Sequence, residues 1–295
     1  MAVIGIFKGI AAVLWMLGNA SLVWIPLAFW LVQSTWTKGE KLRILRKRMD
    51  LIIWWWSANN ARMIRLLNLT QTQITWHNRE QLSVEQWFLV ICNHQSWTDV
   101  VLLQTHLHPV LPPLKFFTKE ALIWVPFIGI AMKVLGFPYV KRATKAQIKA
   151  NPSLRTADRE NTLAACEAFK NHPTCVLNFV EGGRRTEEKF NRQGGEYKYL
   201  LRPKIGGLDY VLEGMNGHLA RLVDVTIVYP DGVPTFWAFL QGKCPRVQME
   251  VRAREIPNAT DANAAQGRRS ELAHWIKRIW LEKDAVVAGA MNVRH

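Results

Sequence analysis

The stretch from Gly9 to Val32, GIAAVLWMLGNASLVWIPLAFWLV, carries no charged residue, and nothing else in the chain constrains its folding so strongly. A straight helix rises about 1.5 Å per residue, so a run of this length can cross the ~30 Å hydrocarbon core of a bilayer. Trp15, Trp24, Trp30 and Trp36 punctuate it, and tryptophan favours the headgroup boundary. Gly18-Asn19 offers a turn and Pro26 a kink, so the run reads either as one span or as a re-entrant helical hairpin. It does not read as a cleaved signal peptide, because the apolar run continues past Gly18-Asn19-Ala20 and only Lys8 charges the preceding segment.

Lys38, Lys41, Arg43, Arg46, Lys47 and Arg48 follow the run, which by the positive-inside tendency places the main domain on the cytoplasmic face, that of the inner membrane if the source is bacterial. The same cluster suits anionic lipid headgroups. Leu51 to Leu69 carries three consecutive tryptophans and then apolar positions interleaved with Arg62 and Arg65, the pattern of an interfacial helix or of an ordinary packed one. The chain therefore divides into a membrane anchor over 1–36, a basic, Trp-rich interfacial helical segment over 37–70, and an α/β domain over 71–295.

Lys and Arg number 38 against 23 Asp and Glu, a formal net charge of +15, which favours polyanionic partners. Nucleic acid is set aside, because neither an RNA-binding aromatic signature nor a helix-turn-helix pattern is present. The four cysteines, Cys92, Cys166, Cys175 and Cys244, form no CxxC pair and no metal-ligand spacing, and read as reduced structural thiols.

Beyond Thr70, short apolar runs alternate with helical periodicity. Trp87 to Cys92 has the continuous apolar character of a strand covered on both faces. Further strands are expected at Lys115–Phe117, Phe137–Val140, Cys175–Val180 and Leu222–Tyr229, with an edge strand at Val247–Val251. Helices are expected over Ala121–Leu135 and Arg155–Asn171. The tail from Arg268 to Lys283 sets Leu272, Ile276 and Ile279 on one helical face. Such alternation predicts an α/β fold with a mixed, largely parallel sheet flanked by helices.

The strand ending at Cys92 runs straight into Asn93-His94-Gln95-Ser96-Trp97-Thr98-Asp99, and in open α/β sheets ligands collect at the carboxyl ends of strands. Five residues apart, His94 and Asp99 would diverge by ~140° on a regular helix, so they face each other only across a turn. Ser96 followed by Asp99 resembles a capping box that would set such a turn. There the carboxylate can take the proton of one imidazole nitrogen and leave the other free as a base. The pair taken alone reads first as a helix cap, and the catalytic reading depends on its context. With no partnered nucleophile in evidence, it suits transfer of an already activated acyl group to an alcohol, with an acyl-enzyme at Ser96 as the less favoured route.

A second apolar strand enters Glu181-Gly182-Gly183-Arg184-Arg185-Thr186, where paired glycines let backbone N–H groups approach an anion and the arginines can fork onto phosphate. A third stretch, Gly136-Phe137-Pro138-Tyr139-Val140-Lys141-Arg142, also ends in two cations. In order, NHQSWTD, GFPYVKR, FVEGGRRT and VDVTIVYP resemble the four blocks of the glycerophospholipid acyltransferase family, whose lysophosphatidic acid acyltransferases bear the His-x4-Asp motif. The resemblance runs from about Phe88 to Pro230, and Leu201-Arg202-Pro203-Lys204 matches a further segment of one branch.

That resemblance implies transfer of a fatty acyl group from acyl-CoA or acyl-carrier protein to the sn-2 hydroxyl of 1-acyl-glycerol-3-phosphate, forming phosphatidic acid in phospholipid biosynthesis, without a metal or other cofactor. It makes His94 the general base and Asp99 its orienting carboxylate. It gives Arg142 the acceptor's phosphate, and assigns Asn93, Ser96, Lys141, Glu181, Gly182, Gly183 and Arg184 to substrate binding. Gly183 stands where the family usually has Thr and Arg185 where this branch tends to have an aromatic residue, which bears on headgroup choice. The alternatives are another lysophospholipid or a non-glycerol acceptor on the same fold, and a non-catalytic membrane scaffold.

Overall fold

The computed structural model describes residues 2–124, 128–140, 150–151, 153–257 and 265–292. It opens with a helical pair, α1 (Ala2–Trp36) and α2 (Gly39–Leu66). α1 runs unbroken through Gly18-Asn19 and through Pro26, and the chain reverses only at Thr37-Lys38. Strand β1 (Gln71–His77) leads to β2 (Trp87–Cys92), then helix α3 (Thr98–Leu107) and strands β3 (Leu114–Phe116) and β4 (Thr118–Lys119). A 3-10 turn at Glu120–Trp124 and helix α4 (Ile128–Val134) occupy the stretch expected to be one helix, and β5 (Tyr139–Val140) pairs with β4. Helix α5 (Ser153–Phe169), β6 (Cys175–Asn178), the short α6 (Glu187–Arg192), α7 (Ile205–Gly214), β7 (Leu219–Val228), α8 (Phe236–Leu240), β8 (Arg246–Arg254) and α9 (Ala265–Asn292) complete the order.

Six strands form one sheet in the order β1-β8-β7-β2-β6-β3, parallel throughout except for β7 against β8. This is the mixed, largely parallel sheet expected. The strand over Val247–Val251 is not the edge, however: β8 lies between β7 and β1, and β1 takes the edge. β1 escaped notice because its residues alternate between exposed and half-buried, a weak apolar signal that becomes a strand only by pairing with β8.

Alternation within β2 supplies both cores. Phe88, Val90 and Cys92 pack with Leu102 and Leu103 of α3 and with Met63 of α2, whereas Leu89 and Ile91 meet Phe169 of α5, Leu208 of α7 and Ile276 and Trp280 of α9. Leu272, Ile276 and Ile279 of the tail helix are all buried, as their spacing requires. The four cysteines are buried and unbridged, and burial raises each thiol above its usual range, which keeps them inert.

α1 is joined to this body. A Cβ on Gly9 would lie 2.7 Å from the Trp237 ring, so only glycine lets α1 approach α8 there, and three residues on, Ala12 is fully buried in the first core. Its opposite face exposes Ile4, Phe7, Leu14, Leu17, Leu22, Ile25 and Phe29. Among the described residues α1 is the helix long and apolar enough to cross a membrane. Between α1 and α2 the buried Asn19 donates to Asn60 Oδ1 (3.1 Å) and to the Trp56 carbonyl, a polar contact that specifies how the two helices meet. Lys38, Lys41, Arg43, Arg46, Lys47 and Arg48 are exposed on and just before the first turns of α2.

Candidate active site

β2, β6 and β7 are neighbouring parallel strands, so their carboxyl ends share one edge of the sheet. Asn93-His94 follows the first, Phe179 the second and Tyr229 the third. The turn after β2 brings His94 back onto Asp99: Nδ1 lies 2.8 Å from Asp99 Oδ2, and that oxygen also accepts from the backbone N–H groups of Gln95 (2.6 Å) and Ser96 (2.9 Å). A carboxylate oxygen that accepts from three directions fixes Nδ1 as the protonated nitrogen, and Nε2 remains an acceptor. The His94 ring stacks on Phe179, with centroids 3.9 Å apart and planes 16° apart. Asp99 is 1% exposed, so its charge acts through low dielectric rather than through water.

The turn is half of the expected capping box. Asp99 reaches back to the Ser96 N–H, but Ser96 Oγ accepts from Thr98 N and donates to the Pro234 carbonyl (2.8 Å). Ser96 is buried, and its hydroxyl is engaged on both sides by main-chain groups. Asn93 is also turned inward: its amide donates to Ile227 O and accepts from Ile227 N, both at 2.9 Å, continuing the β2–β7 ladder by one side chain. Glu181, 2% exposed, accepts from His94 N (3.0 Å) through one oxygen and from Leu201 N (3.2 Å) through the other. These three residues, expected to bind substrate, have their polar atoms on backbone groups and brace the turn.

The backbone of His94 is held on both sides, since its carbonyl accepts from Arg185 N at 2.8 Å. Gly182, at φ +73°, reverses the chain between Glu181 and the arginines. Gly182 and Arg184 are exposed and Gly183 is half-buried, and the Arg184 guanidinium lies 5.1 Å from the ring centre of Trp97, within the His94–Asp99 turn. Trp97 also forms part of the wall of an apolar cavity of about 330 Å³ between α1, α2, α3 and α4, with Trp24, Ile52, Trp56, Phe116 and Leu135 among its other lining residues. One tryptophan thus stands between a cation and a hydrophobic chamber, three residues from His94. Lys141 and Arg142 lie outside the described residues.

Burial pushes the Glu181 carboxyl up to about 8, against the two backbone donors that favour its anion. From about 4.5 upward the unfolded chain ionises while the folded protein keeps its proton, so this group's stabilisation is lost progressively as pH rises to about 8. In Glu181→Gln, thermal melts between about pH 5 and pH 8 are expected to lose that decline, worth at most ~1.4 kcal/mol per pH unit. Absolute stability falls as well, because the amide NH2 faces a backbone donor. An unchanged slope would mean that Glu181 ionises as it does in water.

Tyr229 and Phe179 were not identified as site residues from the sequence, although both directly follow buried strands. Strand ends could have nominated them, but the neighbour relation of β2, β6 and β7 is what brings them to His94.

The fold and sequence both have known counterparts. A crystal structure of the 1-acyl-sn-glycerophosphate (LPA) acyltransferase PlsC from Thermotoga maritima superposes with a TM-score of 0.52 over 92% of this chain and 95% of that one, at 18% identity, a likeness of fold. Lysocardiolipin acyltransferase 1 of Danio rerio is 26% identical over 66% of this chain and 50% of its own length. The 1-acyl-sn-glycerol-3-phosphate acyltransferase gamma of Mus musculus is 24% identical over 88% of this chain and 66% of its own. The chain spans about half to two thirds of the length of these curated relatives. The sequence model of the Acyltransferase family matches residues 73–230, from within β1 to the proline after Tyr229. Since that match takes in His94, Asp99 and Glu181 and covers more than half of the chain, the protein belongs to the Acyltransferase family.

Proposed function

We propose that this chain is a membrane-bound O-acyltransferase that moves a fatty acyl group from a thioester donor, acyl-CoA or acyl-carrier protein, to the sn-2 hydroxyl of 1-acyl-glycerol-3-phosphate. The observation that carries the reading is the 2.8 Å bond from His94 Nδ1 to buried Asp99, which leaves Nε2 as a base at the carboxyl edge of the sheet. Nε2 takes the hydroxyl proton as the oxygen attacks the thioester carbonyl. The C–S bond then breaks, and the imidazolium returns the proton to the departing thiolate. Asp99 stabilises the imidazolium between these events, and no enzyme nucleophile is needed, in keeping with the inward Ser96 Oγ.

Arg184, with Arg142 and Lys141, supplies cations for the acceptor's phosphate. The cavity beside Trp97 is apolar and of a size to take an acyl chain. The exposed apolar face of α1 and the basic start of α2 suit a helical pair embedded from the cytoplasmic side and held against anionic headgroups. Because Ala12 is buried in the domain core, this reading has the first turns of α1 at the bilayer surface together with the domain.

A second acceptor is favoured by two observations: the lysocardiolipin acyltransferases among the relatives, and Gly183 in the headgroup turn. The deciding experiment supplies purified protein with labelled acyl-CoA or, separately, labelled acyl-carrier protein, and a panel of 1-acyl-glycerol-3-phosphate, lysophosphatidylinositol, lysocardiolipin and uncharged monoacylglycerol. Product is identified by mass spectrometry. New ester on the phosphorylated lysolipids, highest on 1-acyl-glycerol-3-phosphate, is the expected result. Equal acylation of monoacylglycerol would remove the phosphate from the mechanism, and no acylation of any acceptor from either donor would remove the enzyme.

A further inference from the structure

The Asp99 carboxylate has two oxygens, and the second has its own partner. Oδ2 holds His94 and two backbone N–H groups, while Oδ1 accepts from the hydroxyl of Tyr229 at 2.5 Å. Tyr229 directly follows β7, is 2% exposed, and packs in the core with Cys92 and Val225. It is too deep to touch a substrate. We infer that Tyr229 is a positioning residue that sets the strength of the base: its bond to Asp99 Oδ1 draws charge from the carboxylate and so weakens the grip of Oδ2 on protonated His94. The inference rests on the reading of His94 as the general base.

The physical chain is short. A carboxylate beside an imidazole favours the charged ring, and a base held too strongly in its protonated form is both scarce near neutral pH and slow to return its proton. A phenol donating to the far oxygen shares the negative charge and moderates that effect. The donor is permanent, because burial and the adjacent Asp99 charge raise the phenol well above its usual range. The other titratable groups around Asp99, Tyr229 and their neighbours come from each packed element: Cys92 from β2, Glu181 after β6, Asp224 from β7, Cys244 before β8, Lys283 from α9, and Arg184 over Trp97. Lys283 is paired with Asp224 and donates to the Val225 carbonyl and Thr226, and Glu181 is engaged by the backbone of His94 and Leu201. Besides His94 itself, Tyr229 is, among the described residues, the titratable side chain bonded directly to the Asp99 carboxylate.

The test compares kcat/KM against pH for wild type, Tyr229→Phe, Asp99→Asn and the double variant, using acyl-CoA and 1-acyl-glycerol-3-phosphate. Tyr229→Phe is expected to move the acid limb up by roughly half to one pH unit and to lower kcat several-fold near neutral pH, while both KM values stay within about twofold. In the Asp99→Asn background the same substitution should move nothing further. Carbethoxylation of His94 by diethyl pyrocarbonate, followed at its own peptide by mass spectrometry across pH, reads the same shift without turnover, and thermal melts verify folding. An acid limb that superimposes on wild type or falls, or an equal shift with Asp99→Asn, would overturn the inference. Failure of the enzymatic reading shows separately, as full turnover by a His94→Ala protein, whereas the modification curve addresses Tyr229 alone.

Discussion

Replacing His94 with alanine is expected to lower kcat/KM for acyl transfer by about 10²–10⁴-fold, or roughly 3–5 kcal/mol of barrier, with little change in melting temperature. The separation of the two effects follows from how the residue is held. The main chain of His94 is fixed through Glu181 on its N–H and Arg185 on its carbonyl, and neither contact uses the side chain. Asp99 keeps its donors from Gln95, Ser96 and Tyr229 when the ring is gone, so the turn and the start of α3 survive. What disappears is the group that can accept a proton at Nε2. Initial rates on purified protein over a range of acceptor concentrations check this. A variant that retains wild-type rates would leave the pair as a helix cap and nothing more.

Asp50→Ala is expected to have the largest effect on stability, about 3–5 kcal/mol, seen as a fall of roughly ten degrees or more in the unfolding midpoint in detergent. Asp50 lies in α2, and its two oxygens meet Lys115 Nζ at the start of the edge strand β3 and His172 Nδ1 just before β6, both at 2.9 Å. All three side chains are under one-tenth exposed. Taking the carboxylate away strands a buried ammonium, which costs far more than the net worth of the pair. Asp50→Asn should be milder, because its carbonyl oxygen can still accept from Lys115. The cluster joins the N-terminal helical pair to the catalytic sheet, so loss of stability should come with loss of activity. A midpoint unchanged within a degree or two for Asp50→Ala would show that water reaches the cluster.

Parts of this arrangement were legible in the chain and parts were not, and the division is physical. β2 coincides with its apolar run, Trp87–Cys92, because a strand covered on both faces leaves an uninterrupted hydrophobic record. The tail helix declared its buried face through Leu272, Ile276 and Ile279. The polar residues around the turn could be nominated but not oriented. Asn93, Ser96 and Glu181 have the chemistry of substrate ligands, yet each satisfies backbone groups from distant segments: Ile227, Pro234 and Leu201. Tyr229 and Phe179 went unidentified for the complementary reason, since an aromatic residue after a strand is usually just core.

What the sequence determined by itself was local and periodic: an uncharged helix of membrane length, a basic cluster beyond it, the strand before His94, and the ordered blocks that place the chain in its family. Tertiary structure alone decided that β2, β6 and β7 are neighbours with their carboxyl ends together, that β1 rather than β8 is the edge, and that Ala12 of the apolar helix is part of the domain core. Periodicity records which faces of a segment leave water, a property each segment carries alone. Strand order and the second partner of a buried carboxylate depend on pairings between residues far apart in the chain, Tyr229 and Asp99 among them, and such pairings leave no trace in local spacing.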